Sequence, residues 1–165
     1  MGKSITTPMV LLDNTILSNF ALIGRTDLIY SLWADMARTT KSVLEEYQAG
    51  TIALNLPKGV WERLVVDELS DEEMTRAAIH HPRLGAGERS CLAVAILRKT
   101  IFASDDRLAR KYAFEAELIV IGSIGILIQC SRKGLIEKTD AQELLDKMIM
   151  AHYYSPITNL DEVVD

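Results

Sequence analysis

Apolar positions along this chain alternate between two rhythms. Short unbroken runs suit strands buried on both faces of a parallel sheet, and longer stretches with apolar residues at i, i+3 and i+4 suit helices. Residues 8–12 form the first run, and Ile16, Leu17, Phe20 and Ala21 follow at helical spacing. Residues 26–33 repeat that spacing through Leu28, Ile29 and Leu32, and residues 37–39 read as a brief strand. Thr40 or Ser42 then caps a helix predicted to run to about Ala49 and to stop at Gly50. Pro57 and Gly59 mark a turn, and residues 61–69 hold a strand or an irregular edge. Ser70, followed by Asp71, Glu72 and Glu73, starts a capped helix whose acids suit the helix dipole.

The second half keeps the alternation. A glycine-punctuated turn opens an Ala-rich helix at Gly87, residues 99–104 supply a strand, and a helix starts near Asp105. Residues 118–121 read as a last central strand, turning through Gly122 and Gly125 into an apolar helix that ends near residues 132–134. That turn lacks the Lys and Ser/Thr of a phosphate-binding loop. An amphipathic helix over residues 140–151 carries Leu144, Leu145, Met148 and Ile149, and residues 152–165 form a surface tail. Strands alternating with helices predict an α/β fold, a parallel sheet covered on both faces with right-handed crossovers. At 165 residues the chain fits one domain, with its core over about 9–136 and a C-terminal helix and tail over 139–165.

Composition narrows the class. Hydrophobic residues make up 48% and charged residues 25%, the balance of a globular domain. The net charge of -5 gives no general attraction for nucleic acid, so such a partner needs local basic clusters or a bound cation. Cys91 and Cys130 lie in apolar segments and read as buried thiols of a reducing compartment. The N-terminal residues do not resemble a secretory signal, and the longest apolar run, residues 118–130, is too short to span a bilayer. The expectation is a cytoplasmic protein without a membrane partner.

The candidate chemistry lies in acids at element junctions. Asp13 sits where the first strand gives way to a helix, a position an ordinary N-cap also explains. On the next acidic helix, at about 100° per residue, Val43, Leu44 and Tyr47 define the apolar face. Glu46 flanks that face, and Glu45 points to solvent. Glu88 heads the buried face of its helix with Cys91, Leu92, Ala95 and Ile96, although it equally complements the helix N-terminus. If a helix begins at Asp105, that residue is in phase with Leu108, Ala109 and Tyr112 and is the better ligand of the doublet, with Asp106 to one side. Either Ser104 or Asp105 also serves as a plain cap. Arg107 and Arg110 are candidates for contacting substrate phosphates, against a solvated basic face. The adjacent His80 and His81 lack further ligands at zinc spacing and read as loop residues.

Ligand sites of parallel sheets lie beyond the carboxyl ends of the strands, near the switch point. Converging there, Asp13, Glu46, Glu88, Asp105 and Asp106 would repel one another unless some take up protons or a cation binds. Oxygen-only ligands favour Mg²⁺ or Mn²⁺ over zinc. Such an ion would activate water against a phosphodiester, and single-stranded RNA bends most easily into a narrow acidic cleft.

The order of VLLDNTILSNF, SVLEEYQAG, LGAGERSCLAVA, FASDDRLARKYA and VIGSIGILIQCSRKGLI resembles the PIN-domain proteins, including the VapC-like toxin ribonucleases, over residues 9–136. The resemblance implies a three-layer α/β/α sandwich and Mg²⁺- or Mn²⁺-dependent endoribonuclease activity. It assigns Asp13, Glu46, Glu88 and Asp105 to the four acidic positions. Asp106 also matches, because Ser104-Asp105-Asp106 resembles the family's Thr-x-Asp. An antitoxin that fills the cleft and a homodimer are further implications. Two other readings compete: a PIN-like module that binds RNA or protein without cutting, and a metal-free interaction protein whose acids are caps. A haloacid-dehalogenase-type loop is disfavoured because Asp13-Asn14-Thr15 lacks its second Asp.

Overall fold

The computed structural model describes residues 8–80 and 82–163, so residues 1–7, His81 and residues 164–165 lie outside the described residues. The elements follow the predicted alternation: β1 (Val10–Leu12), α1 (Asn14–Leu22), α2 (Thr26–Trp33), β2 (Ala37–Thr40), α3 (Lys41–Ala53), β3 (Val65–Asp67) and α4 (Asp71–Ile79). Then come α5 (Ala86–Arg98), β4 (Ile101–Ala103), α6 (Arg107–Glu115), β5 (Val120–Ile121), α7 (Ser123–Arg132) and α8 (Lys138–Met150). The irregular edge near residue 65 is thus a strand, and the Ser70 cap closes the expected capping box with Glu73.

All five strands are parallel, in the order β3-β2-β1-β4-β5. Val10 lies opposite Ala37 on one side and Ile101 on the other, which puts β1 at the centre of the sheet. Val10, Leu11 and Leu12 are completely buried, as a continuous apolar run in a sheet covered on both faces requires. Helix α5 crosses the central strands and packs against β1, β2 and β4. The result is a three-layer α/β/α sandwich. Chain direction across the sheet reverses at β1, so the gap between β1 and β4 is the switch point.

Two boundaries and one strand position differ from expectation. Helix α3 continues through Gly50 to Ala53. The stretch read as a strand from residue 99 begins at Ile101, because Lys99 (φ 54°) is the left-handed cap of α5. Strand β5, expected to be central, is an edge. The opposite edge, β3, is fastened by charge. Asp67 pairs with Arg38 at 2.6 Å and Arg98 at 3.3 Å, and Arg98 also holds Glu73 at 2.8 Å. Cys91 and Cys130 are free and buried, as expected. Among the described residues no helix is long and apolar enough to cross a membrane.

Candidate active site

The carboxyl end of β1 delivers Asp13 into the switch-point gap, and the carboxyl end of β4 delivers Ser104, Asp105 and Asp106 beside it. Asp13 is the N-cap of α1. Its Oδ1 accepts from the Thr15 amide at 3.0 Å, the Thr15 hydroxyl at 2.5 Å and the Ile16 amide at 3.4 Å. Its Oδ2 accepts from the Ser104 hydroxyl. Asp13 is therefore a cap through one oxygen and tied to the β4 loop through the other. The side chain is fully buried. Burial pushes its pKa up to about 7, against the Ser104 and Thr15 hydrogen bonds, and the Asp105 and Glu88 charges push the same way as burial.

Two more carboxylates serve the start of α5. Glu88 Oε2 accepts from the Gly85 amide at 2.9 Å, and Glu46, on α3, accepts from the Gly87 amide through Oε1 at 2.8 Å. Orphan amides at a helix start suit carboxylates, so both residues have a capping role. Both are half-buried: Glu46 flanks the apolar face as its helical phase predicted, whereas Glu88, expected to head the buried face, is only partly covered, and Glu45 is exposed and pairs loosely with Lys41. Burial raises the Glu88 pKa; the Gly85 hydrogen bond opposes this, and the Asp106 and Glu46 charges add to it.

The doublet is split in role. Helix α6 starts at Arg107 with Asp106 as its N-cap, accepting from the Ala109 amide at 2.8 Å, so the helical phase assumed for Asp105 does not apply. The Asp105 side chain accepts from the Ser123 amide at 2.8 Å, the Ser123 hydroxyl at 2.5 Å, Asn19 at 2.9 Å and the Tyr153 hydroxyl at 3.4 Å. Its backbone amide donates to Thr15 Oγ1 at 2.8 Å, and the Asp106 amide donates to Ser104 Oγ at 3.0 Å. Thr15 and Ser104 thus each accept an amide from the doublet and donate to Asp13. Arg110 donates to the Ser104 carbonyl at 2.9 Å and lies over Phe114, whereas Arg107 is exposed. Thr15, Asn19, Ser123 and Tyr153 were not singled out from sequence. Hydroxyls flanking candidate acids were a usable signal for Thr15; Asn19 and Tyr153 meet Asp105 only through the fold.

The Asp105 and Glu88 charges act on Asp13, and the Asp106 and Glu46 charges act on Glu88, which links the five predicted acids pairwise. A sequence family described as a PIN domain matches residues 9–165, with these acids inside it. The chain belongs to the PIN-domain family. PIN domains are generally nucleases and typically use divalent metal ions. A search of curated proteins found no match to the chain. The donors of this PIN domain suit such an ion chemically: they are carboxylate oxygens, and burial with like-charge repulsion holds Asp13 and Glu88 toward protonation, a cost a cation would relieve. Among the described residues no three His, Cys, Asp or Glu side chains stand close enough together to hold a metal ion. The fit is one of donor chemistry.

Proposed function

We propose that this PIN domain is a metal-dependent endoribonuclease that cleaves single-stranded RNA and serves as the toxin of a toxin–antitoxin pair. The observation that carries the reading is the connected acidic set at the switch point, in which a buried Asp13 has its pKa raised to about 7. Asp13, Glu46, Glu88 and one acid of the Asp105–Asp106 doublet would hold Mg²⁺ or Mn²⁺, which would lower the pKa of a bound water and offset phosphate charge. Thr15 and Ser104 orient Asp13 by donating one hydrogen bond to each of its oxygens. Arg107 is free to meet a phosphate at the mouth, and Arg110 steadies the β4 carboxyl end through the Ser104 carbonyl. Hydrolysis adds water to phosphorus as the P–O bond to the leaving nucleoside breaks. A cytoplasmic setting, an antitoxin that covers the cleft and a homodimer belong to the same reading.

A second reading has its own support. Glu46, Glu88 and Asp106 each accept a backbone amide at a helix start, and among the described residues no three acids are gathered. A PIN domain that binds RNA or protein without cutting would look the same. Incubating mixed single-stranded RNA with Mg²⁺, Mn²⁺ or chelator separates the two. Metal-dependent cleavage, lowered about a hundredfold or more in folded Asp13→Asn and Glu88→Gln variants, is expected. Metal-independent cleavage, or activity unchanged in both variants, would sink the nuclease mechanism; RNA retained but uncut would select the binding module.

A further inference from the structure

The four donors around Asp105 come from three separate parts of the chain: Asn19 from α1, the Ser123 amide and hydroxyl from the start of α7, and Tyr153 from the segment after α8. Two carboxylate oxygens offer about four lone-pair directions. Asp105 has used them. Asp106 has not: Oδ1 takes the Ala109 amide, and no described residue donates to Oδ2. We infer that Asp105 is a positioning residue that fastens the C-terminal segment to the site, leaving Asp106 to supply the ion-facing acid of the doublet. Only the Asp106 half rests on the metal-site reading above.

The C-terminal segment is built to reach Asp105. Just past the end of α8, His152 adopts the left-handed region (φ 72°), and the Tyr153 amide returns to the Met148 carbonyl at 2.9 Å, a helix stop that turns the chain sharply. Gln142 then clamps the returning chain, accepting from the Leu160 amide at 2.8 Å and donating to the Thr158 carbonyl at 2.9 Å. Leu160 is buried, and Lys138 pairs with Asp161 at 2.5 Å. The end of the segment is thereby held on α8, and its beginning is held on Asp105. To bind an ion through Asp105, the protein would have to give up bonds that join α1, α7 and the tail.

The test combines amide hydrogen exchange over residues 151–160 with Mn²⁺ titration calorimetry on the full chain. Tyr153→Phe and Asp105→Asn should each speed exchange there by about tenfold, the value of one hydrogen bond to a charged group. The double variant should be no faster than Asp105→Asn alone, a coupling that two independent structural losses would not show. Mn²⁺ affinity should stay within about threefold in both, whereas Asp106→Asn should lose about tenfold or more with tail exchange unchanged. An Asp105→Asn protein that loses Mn²⁺ as severely as Asp13→Asn while its tail exchanges normally would overturn the inference. If the wild type takes up no Mn²⁺, the metal reading fails; the exchange data still decide the fastening role, and unchanged tail exchange in Asp105→Asn would reject it.

Discussion

Asp13 illustrates how one side chain is placed under opposed demands. Its oxygens accept from two hydroxyls and two amides, which favours the anion, yet burial and the neighbouring carboxylates favour the acid and carry its pKa from 3.8 to about 7. The native state therefore binds this proton more tightly than the unfolded chain does. Asp13 contributes stability that is complete below about pH 4 and is lost as pH rises through 7, on the order of 4 kcal/mol across the window. Thermal melts of wild type and Asp13→Asn should diverge accordingly, the wild type losing ground between pH 4 and pH 7 and recovering part of it in Mn²⁺. Parallel melting curves for the two proteins would contradict the assignment.

At the scale of elements, the start of α5 depends on a missing side chain. A Cβ at Gly87 would stand 2.6 Å from Glu46 Oε2 and 2.8 Å from its carboxyl carbon, so alanine there must displace the carboxylate that accepts the Gly87 amide. Gly87→Ala gains about 1 kcal/mol of helix propensity but loses a charged hydrogen bond worth about 1.5–3 kcal/mol. It should destabilise the wild type by about 1 kcal/mol and stabilise a Glu46→Ala background, as read by urea denaturation. Destabilisation in both backgrounds would mean that Glu46 is not the obstacle. Elements were legible in the sequence where local pattern decides them: the buried run of β1, the periodic α2, and the Ser70–Glu73 box. They were misread where a distant residue decides. Gly50 does not end α3; it admits Leu56, whose Cδ1 would lie 2.8 Å from a Cβ at that position. Helix α6 begins one residue past the doublet because Asp106, not Ser104 or Asp105, takes the cap.

For the whole molecule, the meeting of Asp13 with the Ser104–Asp105 turn was legible because topology brings the carboxyl ends of β1 and β4 together at the switch point. The division of labour in the doublet was not, since it depends on Tyr153, separated by 48 residues from Asp105. Charge also holds the far edge of the sheet. Strand β3 keeps its place through Asp67, set between Arg38 and Arg98, and Arg98 carries the attachment on to Glu73 in α4. Asp67 and Glu73 are nearly inaccessible while both arginines reach solvent, so the pairs are only partly desolvated. Removing the shared guanidinium leaves two buried carboxylates short of a partner, and Arg98→Ala should cost about 2–3 kcal/mol at neutral pH. Its pH dependence has the opposite sign to that of Asp13. The Arg98 hydrogen bond holds Glu73 below its usual pKa of 4.5, so its contribution is present above that value and lost as pH falls. Urea titrations should therefore show the Arg98→Ala deficit shrinking on acidification below pH 4.5, the region where the Asp13 contribution is fully formed. A deficit that stays constant or grows in acid would show that Arg98 stabilises the edge by packing instead of by charge.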